Sequence, residues 1–305
     1  MPERRRSGAG RRTRAGLSNP PVLVLSCEHG GNRVPPRWRG LFRGAAAVLE
    51  SHRGWDPGAL DLARAMSRRL DVPLISTTVT RLLVETNRSA RHPRLFSEFT
   101  RDLPSDEREE LLARYWAPHR DDVHAAVSRR LRGGGTVLHV GVHSFTPVLD
   151  GVVREVDVGV LYDPARPRER AFCSEWIRAL RATLPDVRVR ANQPYRGASD
   201  GLTTHLRREL GDRYLGVELE VGQGLLARGP AERRRVLEAV TGTLAMLTRG
   251  TGGRVARVRQ RPAAASASAV ARGRQRPAVS ASAVAPASAA GRAPAPKRTT
   301  PSSGW

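Results

Sequence analysis

Two rhythms of apolar and polar positions run along this chain. Val22-Leu-Val-Leu-Ser26 is an unbroken apolar run, the pattern of a strand buried on both faces. Further on, Leu60, Ala63, Met66 and Leu70 recur at helical spacing. Asp56 and Pro57 ahead of them supply an N-cap and a first-turn proline. Strand-like runs come next at Pro73–Thr78, Arg81–Glu85, Val137–Val142, Val156–Leu161, Val187–Val189 and Tyr214–Val221, and helical patterns cover Asp106–His124, Glu169–Ala182 and Glu232–Leu247. Strands alternating with helices predict an α/β domain, three layers α/β/α around a mostly parallel mixed sheet. Ligands of such sheets bind beyond the carboxyl ends of the strands, so chemistry is to be sought just past the end of each run.

Composition then trims the chain. The 305 residues are 39% hydrophobic, enough for a sizeable core, yet no apolar run approaches the roughly 20 residues that span a bilayer. The first residues are Arg-rich but lack the apolar stretch of a secretory signal, and Cys27 and Cys173 form no metal-binding or disulfide pattern. A cytoplasmic protein with no membrane partner is expected. The net charge of +23 is carried mostly by the ends, +5 in residues 1–20 and +10 in 250–305. The C-terminal stretch nearly repeats itself (Arg259 to Ala271, Arg274 to Ala285) in Ala, Ser, Pro and Arg, a composition that cannot bury enough apolar surface to order itself. Residues 1–19 and 250–305 therefore read as disordered basic tails flanking a domain at 20–249. The tails lack interleaved aromatics, so nucleic acid is expected to make weak contacts with them at most.

The ends of the apolar runs are polar in a particular way. The first leads into Cys27-Glu-His-Gly-Gly-Asn32, the next two into Arg81 and Glu85-Thr-Asn-Arg88, a later one into His143-Ser-Phe-Thr146, and the last reads Gly216-Val-Glu-Leu-Glu-Val-Gly-Gln-Gly224. Two imidazoles, a carboxylate at a helix start, a late-strand glutamate and an Asn-Arg pair are the parts of a metal-assisted amide hydrolase. A catalytic zinc takes three protein ligands, and a carboxylate outside that set can move the proton of the attacking water. The compact H-E-x-x-H helix motif is missing, so a metal site has to be assembled from distant segments.

Six motifs, taken in order, carry a resemblance. Glu28-His-Gly-Gly-Asn-Arg-Val-Pro35, Gly54-Trp-Asp56-Pro-Gly-Ala59, Arg81-Leu-Leu-Val-Glu-Thr-Asn-Arg88, His143-Ser-Phe-Thr-Pro147, Asn192-Gln-Pro-Tyr-Arg-Gly197 and Glu218-Leu-Glu-Val-Gly-Gln223 resemble the N-formylglutamate amidohydrolase family over residues 20–248. That family is similar in fold to zinc carboxypeptidases and aspartoacylases, so the resemblance implies a zinc-exopeptidase-like α/β/α fold, a Zn2+ cofactor and a small N-acyl amino acid substrate. By position it implies His29, Asp56 and His143 as metal ligands, with Glu28 or Asn32 as alternatives for the third. It implies Glu220 as general base with Glu218 as its fallback, and Arg81 as the group polarising the carbonyl. Asn87 and Arg88 fall to the substrate carboxylate, and Asn192, Tyr195 and Arg196 to a pocket loop. The family often has Asp-x-Asn-Arg where this chain has Glu85-Thr-Asn-Arg88.

The remaining candidates have plainer readings. His119 and His124 lie on a long helix at a spacing that does not stack them, which favours packing or supporting roles. His52, His92, His139 and His205 read as structural, and Cys27 as buried packing. Two rival functions stay open, a catalytically silent carboxylate-binding relative and a basic-tailed nucleic-acid-associated protein.

Overall fold

The computed structural model describes residues 20–248, so both predicted tails lie outside the described residues. In chain order these residues fold as β1 (Val22–Cys27), a 3₁₀ turn (Pro36–Phe42), α1 (Ala46–Glu50), α2 (Ala59–Leu70), β2 (Leu74–Ser76), α3 (Ser105–Leu111), a π turn (Leu112–Trp116) and α4 (Ala117–Leu131). Next come β3 (Val137–Phe145), the hairpin strands β4 (Val148–Leu149) and β5 (Val152–Val153), β6 (Val158–Leu161), α5 (Pro167–Thr183), β7 (Val189–Ala191), α6 (Leu202–Leu210) with a 3₁₀ turn (Gly211–Arg213), β8 (Tyr214–Gly222), α7 (Gln223–Leu226) and α8 (Pro230–Thr248).

Six strands form one sheet in the order β2-β1-β3-β8-β6-β7. The first four are parallel, and β6 with its parallel partner β7 runs the other way against β8. The carboxyl ends of β1, β3 and β8 thus share one edge of the sheet. Period-two alternation divides the two faces. Leu138, Val140 and Val142 of β3 and Leu215, Val217, Leu219 and Val221 of β8 join the main core with α2, α5 and α8. On the other face, Val24, Val137 and Tyr214 pack under α4 and α6. Along that second face the same period sets Ser26, His139, Gly141, His143, Gly216, Glu218 and Glu220, so its polar residues gather toward the carboxyl edge.

A second, smaller core of Trp38, Phe42, Val79, Leu82, Leu83, Val84, Leu95 and Leu111 organises the segments after β1 and β2. Here two expectations fail. The apolar run Arg81–Glu85 is a buried turn, its backbone met locally by Leu83 N–H to Thr80 O (3.0 Å) and Glu85 N–H to Leu95 O (2.9 Å). A short apolar run does not by itself separate a buried strand from a buried turn. Asp56 does not cap α2. That helix starts at Ala59 behind Gly58, whose φ of 83° suits glycine, and no side chain caps it. The Asp56 carboxylate turns elsewhere.

Helix α4 passes Pro118 directly after the π turn, the wide turn making room for a residue that lacks an N–H. His119 and Arg120 are thereby buried, and Arg120 donates to the carbonyls of Thr86 (3.1 Å) and Arg88 (3.3 Å). Cys27 is buried as expected, and burial pushes its thiol pKa up.

Glu169 and Arg207 form a buried ion pair (3.0 Å) beneath the sheet edge. Glu169 also accepts from Gly216 N–H (3.0 Å), and Arg207 donates to Gly197 O (2.6 Å) and Gly216 O (2.8 Å). One pair therefore ties α5, α6, β8 and the 192–197 loop. Glu169→Gln leaves the guanidinium without its counter-charge, and urea unfolding should show a loss of about 3–5 kcal/mol.

His139 sits between Tyr214 OH (2.8 Å) and Ser26 Oγ (2.7 Å), and burial pushes its pKa from 6.5 down to about 4. Below pH 6.5 the unfolded chain takes this proton first, so its contribution to stability falls by about 1.4 kcal/mol per pH unit until the folded value is reached. The stability gap between wild type and His139→Gln, measured by urea titration, should shrink between pH 6.5 and pH 4.

Candidate active site

His29 comes after β1 and His143 lies near the end of β3, which places both imidazoles at the carboxyl edge. Asp56 reaches between them, its Oδ2 3.3 Å from His29 Nδ1 and 3.0 Å from His143 Nδ1. One ligand atom from each of the three lies within 4.8 Å of the other two, and all three side chains are buried.

The far side of each imidazole meets a second carboxylate. His29 Nε2 lies 2.5 Å from Glu85 Oε1, and His143 Nε2 lies 3.1 Å from Glu28 Oε2 without the alignment of a hydrogen bond. Glu28 is held from behind by His119 Nε2 (3.2 Å). A ligand imidazole ordinarily gives its other nitrogen to a carboxylate, which fixes the ring. Two Nδ1 atoms and a carboxylate oxygen converging with such support fit a catalytic zinc-type donor set. Of the alternatives for the third ligand, Glu28 stands on the Nε2 side of His143, and Asn32 hydrogen-bonds neither histidine among the described residues.

Burial opposes charge in all of these groups, but their neighbours outweigh it. The imidazoles and Arg81 hold the carboxyls of Glu28, Asp56 and Glu85 below the usual range, and those carboxylates hold His29 and His143 above theirs. Arg81 closes on Glu85 through Nε (2.7 Å) and Nη2, with Nη1 3.4 Å from Asp56 Oδ1. Glu85, marked in the sequence only as a departure from Asp-x-Asn-Arg, thus joins Arg81 to His29.

Glu220 pairs in register with His143 on one side and Gly159 on the other. It is buried, its Oε2 has no hydrogen-bond partner, and burial pushes its pKa up to about 8. Glu218, on the same face, receives Asn87 Nδ2 at 3.3 Å. The late-strand glutamates are therefore unequal: Glu218 has a partner and Glu220 has none.

The predicted substrate clamp makes contacts within the protein itself. Asn87 Oδ1 accepts from Leu202 N–H (2.8 Å), Arg88 Nη1 donates to Asp200 O (2.5 Å), and Ser89 N–H binds Asp200 Oδ2 (2.9 Å). These bonds tie the 85–89 segment to the start of α6. Asn192 is likewise spent, its Oδ1 accepting from Tyr162 N–H (3.1 Å) and Gly197 N–H (3.0 Å), so it shapes the pocket loop. Tyr195 and Arg196 of that loop are exposed. Tyr195 OH receives Arg154 Nη1 (3.0 Å), a residue that no sequence motif marked.

Comparison with known proteins bears on what this arrangement does. The sequence pattern of the N-formylglutamate amidohydrolase family matches residues 22–227. Gene product Atu2144 of Agrobacterium tumefaciens is 30% identical in a superposition of TM-score 0.63 that covers 76% of this chain and 91% of that chain. An N-formylglutamate amidohydrolase from Ralstonia eutropha JMP134 shares the fold at TM-score 0.50 and 19% identity, over 76% of this chain and 94% of its own. No curated protein matches the chain. No helix among the described residues is long and apolar enough to cross a membrane. The family pattern spans β1 to the end of α7 and so contains every group gathered at the carboxyl edge; by that match the chain belongs to the N-formylglutamate amidohydrolase family, hydrolases of amide bonds.

Proposed function

We propose that this amidohydrolase removes an N-formyl group from a carboxylate-bearing amino acid such as N-formyl-L-glutamate, using a divalent metal held by His29, Asp56 and His143. The observation that carries the reading is the convergence of two Nδ1 atoms on Asp56 Oδ2 with each ring backed by a carboxylate. Nitrogen and oxygen donors in this number suit zinc. A bound cation of this kind polarises a carbonyl oxygen and brings the pKa of water to about 7.

The chain's own residues supply the proton traffic. Glu220 Oε2, unpartnered and raised to about 8, takes the proton that water loses as its oxygen adds to the acyl carbon. It returns that proton to the amide nitrogen as the C–N bond breaks, releasing formate and the free amine. A carboxyl poised near neutral pH suits both halves of this cycle. Arg81, oriented by its fork on Glu85, stabilises the negative charge that develops on the acyl oxygen. Glu28 and Glu85 keep the two imidazoles from rotating. The substrate is a small molecule, and the reaction asks for no membrane or nucleic-acid partner.

The full chain, stripped of metal with a chelator, should release no formate from N-formyl-L-glutamate, and added zinc should restore release. Metal content without turnover on any N-acyl amino acid would favour the silent carboxylate-binding relative. Glu220→Gln should keep the metal and lower kcat by about 100-fold or more. Full turnover in that variant would move the proton-transfer role elsewhere.

A further inference from the structure

Arg154 leaves the hairpin β4–β5 at the mouth of the site. The hairpin closes through Asp150 and Gly151 at φ 50° and 77°, a two-residue turn in the left-handed region. Arg154 N–H returns to Pro147 O (2.9 Å), which fixes where its side chain starts. The guanidinium carbon then lies 5.6 Å from the Phe145 ring centre and 4.9 Å from that of Tyr195. Nη1 donates to Tyr195 OH (3.0 Å) and Thr146 O (3.4 Å). Two aromatic contacts and two hydrogen bonds hold a planar, permanently charged group in one orientation.

The charge itself is unmatched. Arg81 has Asp56 and Glu85, whereas no carboxylate forms an ion pair with Arg154 among the described residues. Tyr195 OH accepts from Arg154, so its own proton is free to point at a further acceptor. A held guanidinium beside a phenol proton is a receptor for a carboxylate.

The position of Phe145, on whose ring Arg154 packs, favours one carboxylate over the other. Phe145 and its register partner Gly222 stand two residues beyond the His143–Glu220 pair, roughly 7 Å along the strands. In an N-acyl amino acid the α-carboxylate lies within ~4 Å of the acyl carbon, whereas a γ-carboxylate on an extended side chain reaches ~6 Å. We propose that Arg154, with Tyr195, is the specificity-determining residue of this enzyme and reads the side-chain carboxylate of an acidic N-acyl amino acid. The proposal rests on the amidohydrolase reading for the position of the acyl carbon. Arg196, exposed on the pocket loop, has no comparable stacking among the described residues and is not needed for this recognition.

The test compares N-formyl-L-glutamate with its neutral isostere N-formyl-L-glutamine on the full-length, zinc-loaded enzyme. Wild type should prefer the glutamate by about tenfold or more in kcat/KM. Arg154→Met should lose about that factor on the glutamate, mainly in KM, and change the glutamine by less than about threefold. Arg154→Lys, which keeps charge but not the planar fork, should recover part of the preference. Equal losses on both substrates, or none on either, would overturn the assignment. Calorimetric binding of L-glutamate and L-glutamine to the same proteins separates the two readings. Selective weakening of L-glutamate binding by Arg154→Met without turnover in wild type keeps Arg154 and removes the reaction. Turnover with unchanged binding selectivity keeps the reaction and removes Arg154.

Discussion

A single carboxylate oxygen, Asp56 Oδ2, stands between the Nδ1 atoms of two buried histidines, and the neighbouring structure is arranged around that contact. Three ionisable groups withdrawn from water at such separations are tolerable only if their charges are balanced and their remaining polar atoms satisfied. Glu85 bonds the outer nitrogen of His29, the Glu28 carboxylate lies 3.1 Å from that of His143 as a counter-charge, His119 answers for Glu28, and Arg81 for both Glu85 and Asp56. Each requirement draws in a residue from another segment: the loop after β1, the entry to α2, the buried turn after β2, helix α4 and strand β3. The small second core of Trp38, Phe42 and Leu82–Val84 makes this convergence possible, because it fixes a largely irregular stretch of chain over the sheet edge.

Much of this is legible in the sequence because β-structure has a period of two. Tyr214-Leu-Gly-Val-Glu-Leu-Glu-Val-Gly222 alternates so regularly that Glu218 and Glu220 have to share a face, and register then sets His143 beside Glu220. The strands themselves, the helices at α5 and α8, and the polar strand ends come from the same reasoning. Where the pattern carries no geometry, the reading stops. Leu82-Leu-Val84 is as apolar as a strand, but its partner is a satellite core. Asp56 has every local mark of an N-cap, and only the positions of His29 and His143, far away in sequence, redirect it. Helix α6 is missing from the predicted elements although it anchors Asn87 through Leu202. Glu28, Glu85, His119, Arg120 and Arg154 act through partners that no spacing rule brings together.

The supporting residues also explain why so many arginines gather near one site without acting alike. Arg120 holds the carbonyls of residues 86 and 88, Arg88 holds that of Asp200, and Arg207 knits the loop below. These guanidiniums are struts, chosen by geometry: five N–H groups in a rigid fork can satisfy several carbonyls of irregular backbone at once. The 85–89 and 197–202 segments have few ladder bonds of their own, and such struts replace them. Asn87 and Arg88, expected to grip a substrate carboxylate, contribute to this bracing as well.

Chemistry is then to be looked for where balance is incomplete. Glu28, Asp56, Glu85 and Glu218 each have at least one side-chain hydrogen-bond partner, whereas the buried Glu220 has none among the described residues. Arg81 and Arg207 are matched by carboxylates and Arg88 and Arg120 hold backbone carbonyls, whereas Arg154 is held by two rings and a phenol with no carboxylate paired to it among the described residues. An uncompensated buried carboxyl costs stability, and a fixed cation with no paired carboxylate gains little from being fixed. Neither arrangement is what packing alone would select. Glu220 stands in register with His143, and Arg154 packs on Phe145, two residues further along the same strand. On the proposed reading, a substrate with a scissile amide at one end and a carboxylate at the other completes both, at the places where the protein by itself is least satisfied.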